Sequence, residues 1–425
     1  MNVELINTGS ELMLGRVLNT HQQWLCRRLA DLGYVVTRQV AVADTGKDIE
    51  AAVGEALSRA DLIITTGGLG PTSDDITRDL IAQLLGKKLI EDASIVQRIE
   101  QFFASRNRPM PASTRIQAMV PEGAIVLPNP HGTAPGLAIK VPFGSSLSTL
   151  NSQPSTPHWL IMLPGPPREL RPMFNDTVAQ LLQRELPLGG QVVCRTLRTN
   201  GMGESLVADK LEGPLRSFVQ RGMDLGYCAR VGQVDVRLVA RGEQAAEIVR
   251  EAECIVRSHL EKIIYGTDDD ELETVIVSLL TERRQTLALA ESCTGGGLAN
   301  RITNVPGASA ILIASLVTYA NEAKETFLGV RPETLAAHGA VSEAVAREMA
   351  EGARKATGAD YALSVTGIAG PGGGTEAKPV GTVFIGFASA AETIVLKQFN
   401  PFDRETFKQV TGTQALEILR RKLVG

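Results

Sequence analysis

The sequence predicts an α/β protein of three consecutive domains: an open, mostly parallel sheet domain, a small α+β unit, and a second α/β domain. Three observations carry this. Short apolar runs alternate with helix-length amphipathic patterns at both ends of the chain, the rhythm of βα units with helices on both faces of a sheet. From about 191 to 264 that rhythm gives way to two strand-like runs and two helices. Glycine-rich turns stand where strand-like runs end, where open α/β sheets bind ligands.

Taken in order, residues 3–7 read as a strand, 19–32 as a helix stopped by Gly33, 34–41 as a strand and 49–60 as a helix. Residues 61–66 form a buried-type strand that runs into Gly67-Gly68-Leu69-Gly70. The stretch 144–157, rich in Ser, Pro, Asn and Gln, reads as an inserted loop; 159–163 is the strand entering Pro164-Gly165-Pro166-Pro167. In the middle unit 192–199 and 234–239 read as strands, 204–211 and 243–259 as helices. The acidic stretch 267–273 is a linker or the first cap of the next domain. Beyond it, 287–290, 311–318, 361–366 and 380–388 read as strands, and 295–303, 342–356 and 404–423 as helices. Ser342 is the expected N-cap of its helix. The domains therefore span 1–175, 176–266 and 267–425.

With 425 residues, 44% of them apolar, each domain can bury a core. The net charge of −4 and pI near 5.9 argue against a nucleic-acid partner, which calls for a basic stripe. The five cysteines, Cys26, Cys194, Cys228, Cys254 and Cys293, are odd in number, widely spaced and without a CxxC pair. That argues against a disulfide framework or cysteine zinc site and suits a reducing compartment, the cytoplasm. The opening residues 3–9 read as a strand and its turn rather than as a signal peptide, and apolar runs such as 310–317 are too short to span a bilayer.

The C-terminal domain carries Ala290-Glu291-Ser292-Cys293-Thr294-Gly295-Gly296-Gly297 between a strand and a helix. A tight turn there exposes a hydroxyl, and free N–H groups of the turn and helix start can hold an oxyanion or phosphate. Ser292 is a nucleophile in this reading; the competing reading is that Ser292 and Thr294 cap the helix. A serine needs a base. His338 lacks an obvious orienting carboxylate, whereas Lys324 follows Thr318-Tyr319-Ala320-Asn321, with Asn321 placed to cap its helix. A lysine near positive dipole ends has its ammonium disfavoured; the competing reading is a solvated surface lysine. Cys293 reads as a small buried residue. A second loop, Gly367-Ile368-Ala369-Gly370-Pro371-Gly372-Gly373-Gly374, can cradle a phosphate or be a plain connection. Arg404 can pair with a phosphate or be a surface arginine.

At the other end three loops stand at strand ends: Thr8-Gly9-Ser10-Glu11, Gly67 to Thr77, and Pro164-Gly165-Pro166. Gly67, Gly68 and Gly70 permit backbone contact with a phosphate. Asp74, Asp75 and Glu11 can bind a hard divalent cation; alternatively the two aspartates cap the helix that begins near Thr77.

The region from about 271 to 424 resembles the nicotinamide-nucleotide amidase (NMN deamidase) family. The resemblance rests on the Glu291-Ser292-Cys293-Thr294-Gly295-Gly296 turn, on Thr318-Tyr319-Ala320-Asn321-Glu322-Ala323-Lys324, on His338-Gly339-Ala340-Val341-Ser342, and on the loop from Gly367 to Gly381. It implies an amidohydrolase needing no cofactor that converts nicotinamide mononucleotide to nicotinate mononucleotide and ammonia. Ser292 would be the nucleophile, Lys324 the base and Tyr319 an assistant. N–H groups around Thr294 and Gly295 would hold the oxyanion, with Gly296, Gly370, Gly372 and Arg404 on the substrate. Phe402 departs from the small residue familiar before the Asp-Arg pair. The N-terminal domain resembles the MoaB/MogA-like molybdopterin-binding fold, and the whole chain the CinA family. That implies a nucleotide site at Gly9, Glu11, Gly67, Gly68 and Gly70, continued by Asp74, Asp75, Thr77, Pro164 and Gly165. It further implies metal-dependent ADP-ribose pyrophosphatase activity with Asp74 and Asp75 on the metal, and a homodimer; the middle unit itself reads as a spacer or dimer contact. Two other classes compete. One is a molybdopterin-type nucleotide-binding protein with a non-catalytic C-terminus. The other is an interaction protein of DNA uptake, which the acidic balance does not favour.

Overall fold

The computed structural model describes residues 1–141 and 158–425; the inserted loop expected at 144–157 lies outside the described residues. The chain divides into two compact units, Met1–Val193 and Cys194–Gly425.

The first unit is built on six strands in the order β2-β1-β3-β8-β7-β6. These are β1 (Val3–Thr8), β2 (Val36–Val42), β3 (Leu62–Thr66), β6 (Ile125–Leu127), β7 (Gly136–Val141) and β8 (His158–Leu163); β4 (Leu89–Glu91) and β5 (Met119–Pro121) form a separate ladder. The expected parallel core is there: β1 pairs in parallel with β2 and β3, and β3 with β8. The β7 and β6 edge is antiparallel. Both faces are covered, so β1, β3 and β8 are buried along their whole length, as central parallel strands are. Val3, Leu5, Leu62, Ile64 and Ile161 pack into one core, while Ile6, Ile63, Leu160 and Met162 pack into the other. This is the two-residue alternation of a strand between two helix layers.

The second unit holds two sheets. The first, in order β10-β11-β9-β12, comprises β9 (Val192–Asn200), β10 (Asp224–Arg230), β11 (Gln233–Arg241) and β12 (Ile264–Thr267). The helix expected at 204–211 runs on to Gln220, straight through Pro214. Proline in a helix interior is unfavourable, but Val207, Leu211, Leu215 and Phe218 form one buried stripe along it, and that burial decides the outcome. The second sheet, β14-β13-β15-β16-β17, comprises β13 (Leu287–Glu291), β14 (Leu312–Val317), β15 (Tyr361–Gly367), β16 (Thr382–Ala388) and β17 (Thr393–Phe399). β14, β13 and β15 are parallel, and β16 and β17 antiparallel. One face packs large side chains, Leu287, Leu289, Leu363 and Ile385, toward the helices Leu272–Arg283 and Arg404–Val424. The other presents Ala288, Ala290 and Ala362 to the helix Glu343–Thr357, so small residues let that helix come close. Ser342 caps it, accepting from Val345 N–H at 3.3 Å. Among the described residues no helix is long and apolar enough to cross a membrane.

Candidate functional site

The C-terminal site forms where β13 and β14 end side by side. Glu291 is in register with Val317, and the next residue, Thr318, continues the ladder by donating to Glu291 O at 2.8 Å. Ser292 and Thr318 therefore leave neighbouring strands at the same level. Ser292 N–H donates to Val365 O of β15 at 3.0 Å, while its hydroxyl has no partner among the described residues.

Glu291, which the motif's spacing does not single out, organises the turn. Its fully buried carboxylate accepts from Thr294 Oγ1 (2.8 Å), Gly296 N–H (3.0 Å), Leu298 N–H (3.1 Å), Ala299 N–H (2.9 Å) and Ser315 Oγ (3.1 Å). A carboxylate facing the first N–H groups of a helix is the signal that could have found it. Two expectations change. The helix Gly297–Thr303 has Gly296 as N-cap and no side-chain cap, so Ser292 and Thr294 are not its caps. Of the expected oxyanion donors, Gly295 N–H is committed to Ser292 O at 3.1 Å and Gly296 N–H to Glu291. Thr294 N–H alone of the three donates to nothing among the described residues.

Lys324 is not a surface lysine: it is 1% exposed. Its helix, Asn321–Leu328, is capped by Ala320 without a side-chain bond, so Asn321 is the first helical residue rather than the cap. Nζ donates to Thr318 O at 2.8 Å and Tyr319 O at 3.2 Å, and no carboxylate pairs with it among the described residues. Burial pushes its pKa down, against smaller opposing effects of Cys293 and Glu322, because a desolvated ammonium is disfavoured. No hydrogen bond joins Nζ to Ser292 Oγ. Cys293, next to Ser292 in sequence, is buried, and desolvation raises its thiol to about 12, which leaves it un-ionised.

Tyr319, 63% exposed, accepts through its hydroxyl from Arg404 Nη2 at 3.0 Å, and Arg404 Nη1 donates to Gly370 O at 2.8 Å. The structure thus joins three expected residues from three separate segments. Gly372 lies further along the same loop, exposed. Arg404 opens the helix Arg404–Val424, whose N-cap Asp403 accepts from Glu405 and Thr406 N–H. One turn on stands Lys408, which reads in the sequence as one more polar helix residue. Its Nζ is 3.7 Å from where a Cβ on Gly295 would sit. It lines a cavity of about 470 Å³ with Asn300, Arg301 and Arg404.

In the first unit the three strand-end loops converge on a cavity of about 400 Å³. Gly9, Glu11, Gly67, Gly68 and Gly70 line it, as do Asp74, Asp75, Pro164 and Gly165. Thr77 is buried and stands behind Gly68, where an added Cβ would collide with its Oγ1. Gly67 and Gly68 have φ of 98° and 66°, the left-handed region open to glycine. Asp75 Oδ2 accepts from Thr72 N–H at 2.9 Å and from the Thr72 hydroxyl, closing the loop on itself. The helix Thr77–Leu84 has Ile76 at its N-cap and no side-chain cap, so neither aspartate caps it. Among the described residues no group of three or more His, Cys, Asp or Glu side chains converges on a metal position. The lining also includes Glu169, at the end of the loop that begins at Pro164, and three residues that the motifs do not mark: Asp44, Gln117 and Thr133.

These features define an α/β protein of two compact units, with a candidate site at strand ends in each. Three family models match consecutive segments: "Probable molybdopterin binding domain" over residues 4–184, "Damage-inducible protein CinA KH domain" over 194–266 and "CinA C-terminal domain" over 269–423. A "Putative competence-damage inducible protein" of Symbiobacterium thermophilum is 44% identical over 100% of this chain and 99% of its own length. A "CinA-like protein" of Gemmatimonas aurantiaca is 41% identical over 99% of this chain and 96% of its own. The crystal structure of a competence/damage inducible protein from Agrobacterium tumefaciens is 38% identical, covers 36% of this chain and 94% of its own, and has a TM-score of 0.35. The chain belongs to the CinA family, and its N-terminal domain has the MoaB/MogA-like molybdopterin-binding fold.

Proposed function

We propose that the C-terminal domain is a Ser/Lys amidohydrolase that converts nicotinamide mononucleotide to nicotinate mononucleotide and ammonia. The observation that supports this most is Lys324: buried, without a carboxylate partner, and held by two carbonyls next to the exit of Ser292 from its strand. Two acceptors engage two N–H groups of a neutral amine and leave its lone pair free, the form a general base needs. Ser292 Oγ bonds to the carboxamide carbon while its proton passes to Lys324. The Thr294 N–H stabilises the oxyanion. The C–N bond then breaks, Lys324 returns the proton to the leaving ammonia, and water releases the acid from the acyl-serine. Arg404 holds Tyr319 beside this centre, and Lys408 adds positive charge for the substrate phosphate. The test is release of ammonia and nicotinate mononucleotide without added metal. Ser292→Ala and Lys324→Ala should each abolish turnover; retained activity in either refutes the assignment.

A second reading concerns the first unit. Nine residues of the expected nucleotide site line one cavity, which supports a pocket for a nucleoside diphosphate of the ADP-ribose class. Its acidic lining would repel a bare diphosphate, and a cation of the magnesium type binds through one or two carboxylates plus substrate phosphates, so the lack of a three-carboxylate cage does not disqualify it. Asp74 and Asp75 would hold such an ion, which would neutralise phosphate charge during pyrophosphate hydrolysis. Release of AMP from ADP-ribose, with and without a divalent cation, tests this.

A further inference from the structure

In the N-terminal cavity one buried polar group has nothing to bind. Gln117 is 3% exposed and lines the cavity wall. Its Nε2 donates to Leu69 O at 3.3 Å, within the Gly67–Gly70 loop. Its Oε1 is buried and has no hydrogen-bond partner. The orientation is set by chemistry: turning the amide over would place its oxygen against the Leu69 carbonyl, two acceptors face to face. The backbone around it is pinned as well, because Arg78 Nη1 donates to Ile116 O at 2.7 Å. A buried acceptor left unpaired is costly, and such groups in native proteins call for an explanation, a missing ligand among them.

We infer that Gln117 is a specificity-determining residue of this pocket, its Oε1 accepting a hydrogen bond from a sugar hydroxyl of the bound ligand. This rests on the reading of the cavity as a nucleoside-diphosphate site. In that reading the glycine loop carries the phosphates, since its backbone can approach them closely. Phosphate oxygens are anionic acceptors and cannot serve Oε1. The group attached to them in a nucleoside diphosphate is the ribose, whose hydroxyls donate. Gln117, bonded to the loop itself, stands one step from the phosphates, where the sugar begins.

The test compares two ligands on the full chain by calorimetry with magnesium present: ADP-ribose, which carries the sugar, and inorganic pyrophosphate, which does not. Gln117→Met keeps the length and removes the acceptor together with the Nε2 donor to Leu69. It should weaken ADP-ribose about tenfold more than pyrophosphate, the scale of one lost hydrogen bond, since any loss at the loop is common to both ligands. Equal weakening of both would mean that Gln117 only holds the Leu69 loop, and no weakening that Oε1 has no partner; either overturns the inference. Gln117→Glu keeps an acceptor and loses the donor to Leu69. It should preserve the ratio of the two affinities even if both fall, and a collapsed ratio also overturns the inference. These arms separate it from the underlying reading: wild type binding neither ligand removes both, whereas wild type binding pyrophosphate as tightly as ADP-ribose removes only the role of Gln117.

Discussion

The Arg404 guanidinium spans two loops: Nη2 donates to the Tyr319 hydroxyl at 3.0 Å and Nη1 to the Gly370 carbonyl at 2.8 Å. Arg404 thereby fixes a tyrosine that is otherwise mostly in solvent. A planar fork can serve two acceptors in fixed directions, which an ammonium cannot. Arg404→Lys should therefore lower kcat as well as raise KM for nicotinamide mononucleotide, by about tenfold or more in kcat/KM. Tyr319→Phe should give a similar loss, and the double variant little more than either single one, because both break one unit. Fully additive losses in steady-state kinetics would show that the two residues act separately.

Lys324 makes the pH dependence specific. Desolvation depresses its folded pKa below the ordinary value of 10.5, so between the two values the unfolded chain binds more protons than the folded one. Stability then rises with pH across that window, and the penalty of burying the ammonium is full below it. Lys324→Met, similar in volume and uncharged, should abolish turnover yet raise the unfolding temperature near neutrality. That gain should shrink as pH approaches 10.5. The rate of the wild-type enzyme should climb with pH to a midpoint below the ordinary lysine range. Pairing pH–rate profiles with thermal melts of the variant checks both; a gain independent of pH would mean the lysine is not desolvated as the geometry requires.

The sequence is informative where the physics is local and periodic. Buried strands such as β1, β3 and β13 read clearly because both faces are apolar, and the strand-end glycines mark both sites. β10 and β17 do not read, because each is an edge strand, partly exposed and nowhere fully buried, with at most three consecutive aliphatic residues, Ile394-Val395-Leu396 in β17. The helix through Pro214 defeats a local rule by tertiary burial. Side chains whose partners lie far along the chain are hardest. Gln117 meets Leu69 across 48 positions and Arg404 meets Tyr319 across 85, and nothing in either neighbourhood marks the pairing. Lys324 was legible only as part of a motif, since its burial depends on strands and a helix that a linear reading cannot assemble.

Glu291 holds the Ser292 turn in shape. Five neutral donors converge on its buried carboxylate. In Glu291→Gln the amide group must face at least one N–H donor with another donor, leaving buried groups unpaired. That should destabilise the fold by roughly 2–4 kcal/mol and displace the turn, so activity falls even at temperatures where the variant is folded. Urea unfolding followed by circular dichroism gives the first quantity. A variant of wild-type stability would mean that the turn holds its shape without the carboxylate.

The N-terminal pocket can be closed without touching the C-terminal site. Gly68 has φ of 66°, and a Cβ there would run into the Thr77 hydroxyl behind it. Gly68→Ala meets both penalties at once: a left-handed backbone costing a non-glycine residue about 1–2 kcal/mol, and a clash with a side chain that is itself buried and unable to retreat. The loop must move, and with it the backbone amides that face the cavity. Binding of ADP-ribose and of pyrophosphate should both be lost, since both use the loop. Release of ammonia from nicotinamide mononucleotide should be unchanged, because Ser292 and Lys324 belong to the other compact unit. Calorimetry for the first and an ammonia assay on the same preparation for the second decide it; full diphosphate binding in Gly68→Ala would place the phosphates elsewhere than at the glycine loop.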